Sequence, residues 1–237
     1  MFDLAIETNV PSYERHVSRR ELFNFIADGE GPRIEFKRHF TSPEKIAKEM
    51  IAFANSKGGI IIFGVDDNRA IVGVESEKSE LAEIEHTAEF LCDPPIEVHV
   101  DIIRFDSRHD LIAVSVPESD SKPHTLVEYD KSGKRIKGVK QQGFVRIGEK
   151  SVQASDEVMR FMRSASLDAP PMQITFGHNE KMLIDYLHKY EKITVAEFAD
   201  LVNISRSRAA KILVDLVRAG VVLMHTFEMK EFYTLAV

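Results

Sequence analysis

The stretch IAFANSKGGIIIFGVDDN, residues 51–68, runs from the end of a helical pattern through two glycines into an apolar run. The glycine pair is typical of a helix terminus. Residues 60–65 are apolar on both faces, which indicates a strand in the middle of a sheet. Residues 66–68, Asp-Asp-Asn, then signal a turn. A helix that leads directly into a buried strand predicts a domain of mixed helices and strands.

The residues before this stretch predict two helices. The segment TSPEKIAKEM begins the helix that ends at the glycines. Either Thr41 and Glu44 form a capping box, or Ser42 caps the helix with Pro43 at its first position. Residues 12–28 have the periodicity of an earlier helix, and residues 33–37 alternate as a short strand. This order places a strand and a helix ahead of the central strand.

The residues after the turn complete a mixed sheet. We expect a returning strand at 70–74, a glutamate-rich helix at 76–90, an antiparallel pair at 96–105 and 110–116, a strand at 143–148 and a helix at 151–162. The fold class is therefore α/β, of the α+β type, with a mixed sheet. We place this first domain at residues 1–165.

A second, smaller domain follows. The segment SLDAPPMQ has the composition of a linker, which we place at residues 166–177. Residues 178–237 then read as three helices followed by a two-stranded hairpin. Three helices and a hairpin predict a winged helix-turn-helix domain.

The composition excludes several classes of protein. The formal net charge of -7 argues against a uniformly basic nucleic-acid binder, but it does not exclude a local basic surface. No apolar run approaches the roughly 18 residues of a membrane span, and the start of the chain lacks the pattern of a secretory signal. We therefore expect a cytoplasmic protein without membrane contact. A single cysteine indicates no zinc site, and the lack of a phosphate-loop motif argues against ATP binding.

Four carboxylates beside the predicted strands are candidate metal ligands. The alternation at residues 33–37 places Glu35 on a polar face, and a Gly-Pro bend after Glu30 could fold Glu30 toward it. Asp66 and Asp67 follow the buried strand. Converging carboxylates would hold a hard cation such as Mg²⁺ or Mn²⁺. The alternative is that Glu35 forms a surface ion pair and that the aspartates cap a turn.

Several cations are candidate phosphate contacts. They are Lys37 and Arg38 beside the carboxylates, Lys134, Arg135, Lys137 and Lys140 in a glycine-containing loop, Arg146, and Arg206, Arg208 and Lys211 on the predicted recognition helix. Such cations position a nucleic acid by charge, and the first turns of a recognition helix face the major groove. The alternative for the loop is a solubilising surface segment, and the alternative for the winged helix is a dimerisation or protein-contact module.

The motifs GEGPRIEFKRHF, IAFANSKGGIIIFGVDDNRAIVG, SDSKPH and GFVRIGEKSVQAS, in this order, resemble those of the Schlafen AlbA-like family over residues 18–165. The resemblance implies that Glu30, Glu35 and Asp67 form a metal-dependent site that cuts structured RNA such as transfer RNA, with Asp66 as a neighbouring substitute. Animal members join two such lobes and carry zinc, whereas this chain has one lobe and no zinc ligands. A homodimer, which we expect, could supply the second lobe, and a monomer would leave a shallower surface.

Two functions therefore follow from the sequence. The first is a divalent-metal-dependent endoribonuclease that binds RNA. The second is a non-catalytic DNA-binding transcriptional regulator that reads DNA with its winged helix, because many microbial relatives combine these two domains and are regarded as regulators.

Overall fold

The computed structural model describes residues 16–136, 138, 140–165, 177–227 and 230–236. It divides into two compact units. The first comprises the chain up to Ser119 together with His124–Ser151, and the second comprises Asp120–Pro123 together with the chain from Val152. The predicted linker, apart from Gly177, and the start of the predicted first helix at residues 12–15 lie outside the described residues.

The first unit is built around a four-stranded mixed sheet. In chain order its elements are α1 (Arg19–Asp28), β1 (Ile34–Lys37), α2 (Pro43–Asn55), β2 (Gly59–Phe63), α3 (Glu77–Phe90), β3 (Cys92–Asp93), β4 (His99–Arg104), β5 (Asp110–Val116), β6 (Thr125–Leu126), β7 (Phe144–Ile147) and β8 (Lys150–Gln153). The sheet has the order β1-β2-β5-β4. The first two strands are parallel and the other pairs are antiparallel. The α/β fold class is confirmed.

The strand β2 is central, as its apolar sequence predicted. All five of its residues are buried. Ile61 and Phe63 pack in a cluster with α2 and α3, while Ile60 and Ile62 pack with α1 on the other face. Because both faces are covered, side chains of neighbouring strands are buried on either side of the sheet.

Local chemistry explains the junction between α2 and β2. Ser42 caps α2 by accepting a hydrogen bond from Lys45 N at 3.3 Å, and Pro43 is the first helical residue, so the second capping alternative is the correct one. Gly58 ends the helix with a φ of +70°. At Gly59 an added Cβ would lie 2.2 Å from the Phe53 ring, so only glycine fits there.

One prediction in the first unit differs from the structure. Residues 70–74 form no strand; the chain makes only a bridge between Val65 and Ile71.

His124, which precedes β6, is buried. Its Nδ1 donates to the Pro94 carbonyl oxygen over 2.7 Å, and its backbone is held by the buried Asn55 amide. His124 is therefore a structural residue.

The second unit contains four helices and a two-stranded sheet in the described residues. They are α4 (Asp156–Ala165), α5 (His178–Tyr190), α6 (Val195–Leu201), α7 (Arg206–Arg218), β9 (Val222–Phe227) and β10 (Lys230–Leu235). Leu183, Phe198, Leu213 and Tyr233 lie in its core. The helix α4, which we expected at the end of the first domain, packs against α7.

The element order of α5, α6, α7 and the β9-β10 hairpin is the one that the sequence predicted. A further bridge joins Ile193, before α6, to Tyr233 on β10. Of the helices in the described part of the chain, none combines the length and the apolar composition needed to cross a membrane.

Candidate functional site

Arg146 on β7 lies at the centre of the region that contains the predicted carboxylates. Its side chain is 3% exposed. Its Nη1 donates to Glu35 Oε2 and to Glu49 Oε2, each at 3.0 Å. Its Nη2 donates to the carbonyl oxygens of Gly31, at 2.8 Å, and Glu149, at 2.9 Å. The guanidinium therefore ties β1 and α2 to the β7-β8 hairpin.

Two further contacts hold this guanidinium in place. Its carbon lies 4.7 Å from the centroid of the Phe53 ring, a distance that allows a cation–π interaction. Its Nη1 also lies 3.1 Å from Ser151 Oγ, which itself donates to Glu49. We predicted that Arg146 would contact phosphate. The Nη1 and Nη2 donors are used inside the protein, whereas the buried Nε has no hydrogen-bond partner in the described residues. Phosphate contact by Arg146 therefore stays a prediction.

Glu35 is buried rather than exposed on a polar face. In the β1-β2 register Glu35 pairs with Ile61 and Phe36 pairs with Ile62. Alternation alone does not show which faces of a strand are covered, and here α2 covers the face of Glu35. The Glu35 carboxylate binds Arg146 through one oxygen and Lys37 through the other.

Glu30 is folded back onto β1 by the Gly-Pro bend, as the sequence suggested. The bend is closed by a hydrogen bond from Gly31 N to the Ile34 carbonyl oxygen at 3.0 Å. Glu30 Oε1 then accepts a hydrogen bond from Phe36 N at 2.9 Å. Glu30 thus satisfies a backbone donor of the edge strand β1. Its carboxylate binds this backbone group and does not share a partner with Glu35.

Asp66 and Asp67 follow β2 in a turn. Asp66 Oδ1 accepts from Asp67 N at 3.0 Å, and Asp66 Oδ2 accepts from Arg38 Nη1 at 3.1 Å. The Asp66 carbonyl oxygen accepts from Arg69 N at 2.7 Å. Asp66 therefore closes the turn and pairs with a partly exposed arginine, while the Asp67 side chain faces solvent.

These carboxylates do not form a shared metal site. Among the residues that the structure describes, no three His, Cys, Asp or Glu side chains lie close enough together to hold a metal ion. Glu35 and Asp66 each use both oxygens in contacts with donors of the protein. In this arrangement the residues do not fit Mg²⁺ or Mn²⁺.

A cleft of about 520 Å³ lies between the end of β1, the start of α2 and the turn after β2. Its basic side chains are Lys37, Arg38, His39, Lys45 and Lys48, and its acidic ones are Glu49, Asp66 and Asp67. Thr41 also lines the cleft, so the cleft lies beside the N-terminus of α2, where the helix dipole is positive. The arrangement suits an anion that several cations contact at once.

Lys45, Lys48 and Glu49 line the cleft but were not predicted as site residues. The signal was present, because these residues lie one turn apart on α2 and fall outside its buried stripe. Their place in the cleft depends on which loops face the helix, which the helical period alone does not reveal.

The predicted loop cations lie on a turn with defined backbone contacts. Asp130 Oδ1 accepts from Lys134 N at 3.0 Å, and Tyr129 and Arg135 form a β-bridge. Arg135 forms an ion pair with Asp93. Lys134 and Lys140 are exposed, and Lys137 lies outside the described residues.

The predicted recognition helix α7 presents its three candidate cations to solvent. Arg206, Arg208 and Lys211 are exposed, whereas Ala209, Ala210, Leu213, Val214 and Leu216 are buried. Ser205 caps the helix by accepting from Arg208 N at 3.3 Å.

A family model described as Schlafen, AlbA_2 matches residues 30–155. This match covers more than half of the chain, so the chain belongs to that family. The matched range contains the cleft and the Arg146 contacts but not the second unit beyond its first residues. Among curated proteins, none matches the chain.

Two solved structures are similar to parts of the chain. The DIP2311 protein from Corynebacterium diphtheriae is 18% identical, with a TM-score of 0.41 over 67% of this chain and 34% of its own. The chain thus spans about a third of that protein. The N-terminal domain of a putative ATP-dependent DNA helicase RecG-related protein from Nitrosomonas europaea is 17% identical, with a TM-score of 0.33 over 62% of this chain and 86% of its own.

We predict that Arg146→Ala lowers the free energy of unfolding by roughly 3–5 kcal/mol, because it leaves the partly buried Glu49 without its cation and the buried Glu35 with Lys37 alone. Urea unfolding followed by circular dichroism measures the loss. Arg38→Ala is the matched control: it removes the exposed pair with Asp66 and should cost less than about 1 kcal/mol. Equal losses in the two variants would show that the Arg146 contacts do not hold the unit together.

Proposed function

We propose that the protein binds nucleic acid through the phosphate backbone, which lies in the cleft beside β1 and α2. The observation that carries the proposal is the set of cations that line this cleft. Membership of the Schlafen AlbA_2 family, which is related to nucleic acids, supports the same class of ligand. Contacts of this kind position a nucleic acid without reading its sequence.

The charges of the cleft favour phosphate at its α2 side. Asp66 is paired with Arg38, and Glu49 is paired with the buried Arg146. Lys45 makes no ion pair with any residue in the described part of the chain, and Lys48 lies 5.6 Å from the Phe144 ring centroid. Lys45 lies in the first turn of α2, so its charge and the helix dipole act on an anion together, and Lys48 adds its charge from the next turn.

We predict that Lys45→Ala combined with Lys48→Ala weakens binding to any nucleic acid probe without changing its sequence preference. Each lost phosphate contact should lower the slope of log affinity against log salt by about 1. Fluorescence anisotropy with a labelled transfer RNA at several salt concentrations measures both quantities. Lys78→Ala, an exposed lysine on α3, is the matched control. An unchanged slope in the double variant would place the backbone elsewhere.

The metal-dependent endoribonuclease that the family resemblance implies is a narrower hypothesis. It requires Glu30, Glu35 and Asp67 to act together at one site, whereas Glu35 here binds Arg146 and Lys37. The protein would have to release these ion pairs before its carboxylates could meet. Support for the hypothesis comes from the resemblance and from the aspartates that line the cleft beside its cations.

The endoribonuclease hypothesis predicts that purified protein cuts transfer RNA in Mn²⁺ and that Glu35→Gln abolishes the cleavage. Denaturing gel electrophoresis of the labelled RNA, with and without chelator, measures this. Glu75→Gln, an exposed glutamate outside the cleft, is the control and should cut as the wild type does. Intact RNA in every reaction would remove the enzymatic hypothesis and leave the binding proposal in place.

The second candidate is a DNA-binding regulator in which α5, α6, α7 and the hairpin act as a winged helix. The observation that favours it is the exposed row of Arg206, Arg208 and Lys211 at the start of α7. No acidic residue lies in the first turn of that helix, so nothing there repels phosphate. The homodimer that the resemblance implies would suit a palindromic site and is checked by sedimentation equilibrium.

We predict that Arg206→Ala combined with Arg208→Ala weakens binding to duplex DNA and removes any sequence preference. A base contact made by either arginine contributes about 1–3 kcal/mol of discrimination. Selection of sites from a random duplex pool, followed by electrophoretic mobility shift, measures the preference. Lys189→Ala on α5 is the matched control. If wild-type protein enriches no sequence from the pool, the regulator hypothesis is wrong.

A further inference from the structure

A second surface of the first unit combines exposed aromatic rings with cations. Phe90, at the end of α3, is 46% exposed, and Tyr129, before the basic turn, is 42% exposed. Tyr129 Oη donates to the carbonyl oxygen of Phe90 at 2.8 Å, so the two residues are held side by side. Large apolar side chains held at the surface in a group often mark a binding site.

The rings are supported by their neighbours. The His86 ring lies 4.9 Å from the Phe90 ring, centroid to centroid. The isolated bridge between Tyr129 and Arg135, together with the ion pair of Arg135 with Asp93, fixes the segment that carries Tyr129. A ring that is already held in place loses little conformational freedom when a flat ligand stacks on it.

Cations lie directly after Tyr129 in the chain. The turn contains Lys131, Lys134 and Arg135, and Lys140 follows it. The Asp130 carboxylate shapes the turn by accepting from Ser132 N at 2.8 Å and from Lys134 N at 3.0 Å. The Asp130 carboxylate is therefore bound by donors of the turn, and the hydrogen bonds from Ser132 and Lys134 lower its pKa. The lysine side chains remain exposed.

A groove of about 300 Å³ adjoins the turn. Its lining includes Leu126, Glu128, Arg135 and Ile136, the last of these 37% exposed. Along α3, near Phe90 in the chain, Glu85 and Glu89 are exposed carboxylates. These would repel phosphate, so a bound strand would place its backbone on the turn and its bases toward Phe90.

We infer that Tyr129 and Phe90 form a stacking surface for unpaired bases of a nucleic acid whose phosphates lie on the basic turn. The combination of flat rings and a basic track is the one that binds single strands without sequence preference. Bases inside a duplex hide their faces, so the surface selects single-stranded segments, loops or ends. The inference rests on the proposed nucleic-acid function and adds a second contact to the cleft.

A comparison of two probes tests the inference. Wild-type protein is titrated against fluorescein-labelled oligo(dT) of about 12 nucleotides and against an abasic strand of equal length, with anisotropy as the readout. The abasic strand keeps every phosphate and lacks every base. We expect oligo(dT) to bind about 5- to 150-fold more tightly, which corresponds to one stacked base.

Variants then assign the difference to the rings. Phe90→Ala should bring the affinity for oligo(dT) closer to that for the abasic strand, while Tyr129→Phe should keep the difference because it keeps the ring. Tyr190→Ala, another exposed aromatic residue, is the control and should behave as the wild type. Circular dichroism confirms that each variant is folded, and the wild-type comparison of the two probes needs no variant.

The outcomes separate this inference from the proposed function. Equal affinity of the wild type for oligo(dT) and the abasic strand overturns the stacking surface but leaves phosphate binding intact. No affinity for either strand, nor for transfer RNA, overturns the proposed function itself. A Phe90→Ala variant that binds oligo(dT) as the wild type does also overturns the inference. If the sedimentation of that variant changes as well, the surface is a protein contact instead.

Discussion

The first unit depends on one buried cation. The Arg146 guanidinium binds Glu35 on β1 and Glu49 on α2, and it also binds the backbone on either side of them. A charge buried without partners carries a large desolvation penalty, so the loss of either the arginine or its carboxylate partners would destabilise the unit. The planar fork of arginine suits this geometry, because its donors diverge in one plane toward several acceptors. Lysine at this position would offer a single ammonium group.

This contact decides what the neighbouring cleft can do. Because Glu35 is neutralised by Arg146 and Lys37, the residue that motivated a metal site contributes little free negative charge. The charges left to act on a ligand are the lysines on α2, with Asp67 as the exposed carboxylate opposite them. The cleft is therefore suited to holding a phosphate chain in its present arrangement. Metal-dependent cleavage of a bound nucleic acid through Glu35 would require β1 to move relative to β7, because Glu35 binds Arg146.

The strands of the sheet were predictable, whereas the partners of the charged residues were not. The apolar runs in β2 and β5 and the alternation in β4 identify these strands without knowledge of the fold. Glu35 lies 111 positions from Arg146 in sequence, and a single arginine in a strand pattern carries no sign of its partner. Strand alternation places the side chains of Glu35 and Phe36 on opposite faces of the sheet, but it does not show that other elements cover both faces.

The Gly-Pro bend shows where local sequence reasoning ends. That Glu30 folds back onto the strand follows from the bend, and the structure agrees. The donor that its side chain binds does not follow, because the bend does not show which backbone N–H groups of the edge strand β1 need partners. A carboxylate only a few residues away can accept a hydrogen bond from such a donor. In the structure Glu30 binds the Phe36 N–H, and this backbone contact draws it away from a shared site.

Local charge, not net charge, governs how an acidic chain can bind a polyanion. At physiological ionic strength the field of an exposed charge falls off over about 8 Å. A phosphate at the cleft or the basic turn is therefore attracted mainly by the cations within that distance, and the overall charge of -7 affects it weakly. The carboxylates on α3 act over the same range and exclude the backbone from their own surface. An acidic chain of this kind binds a nucleic acid only where its cations are clustered, which restricts the strand to a few positions instead of the whole surface.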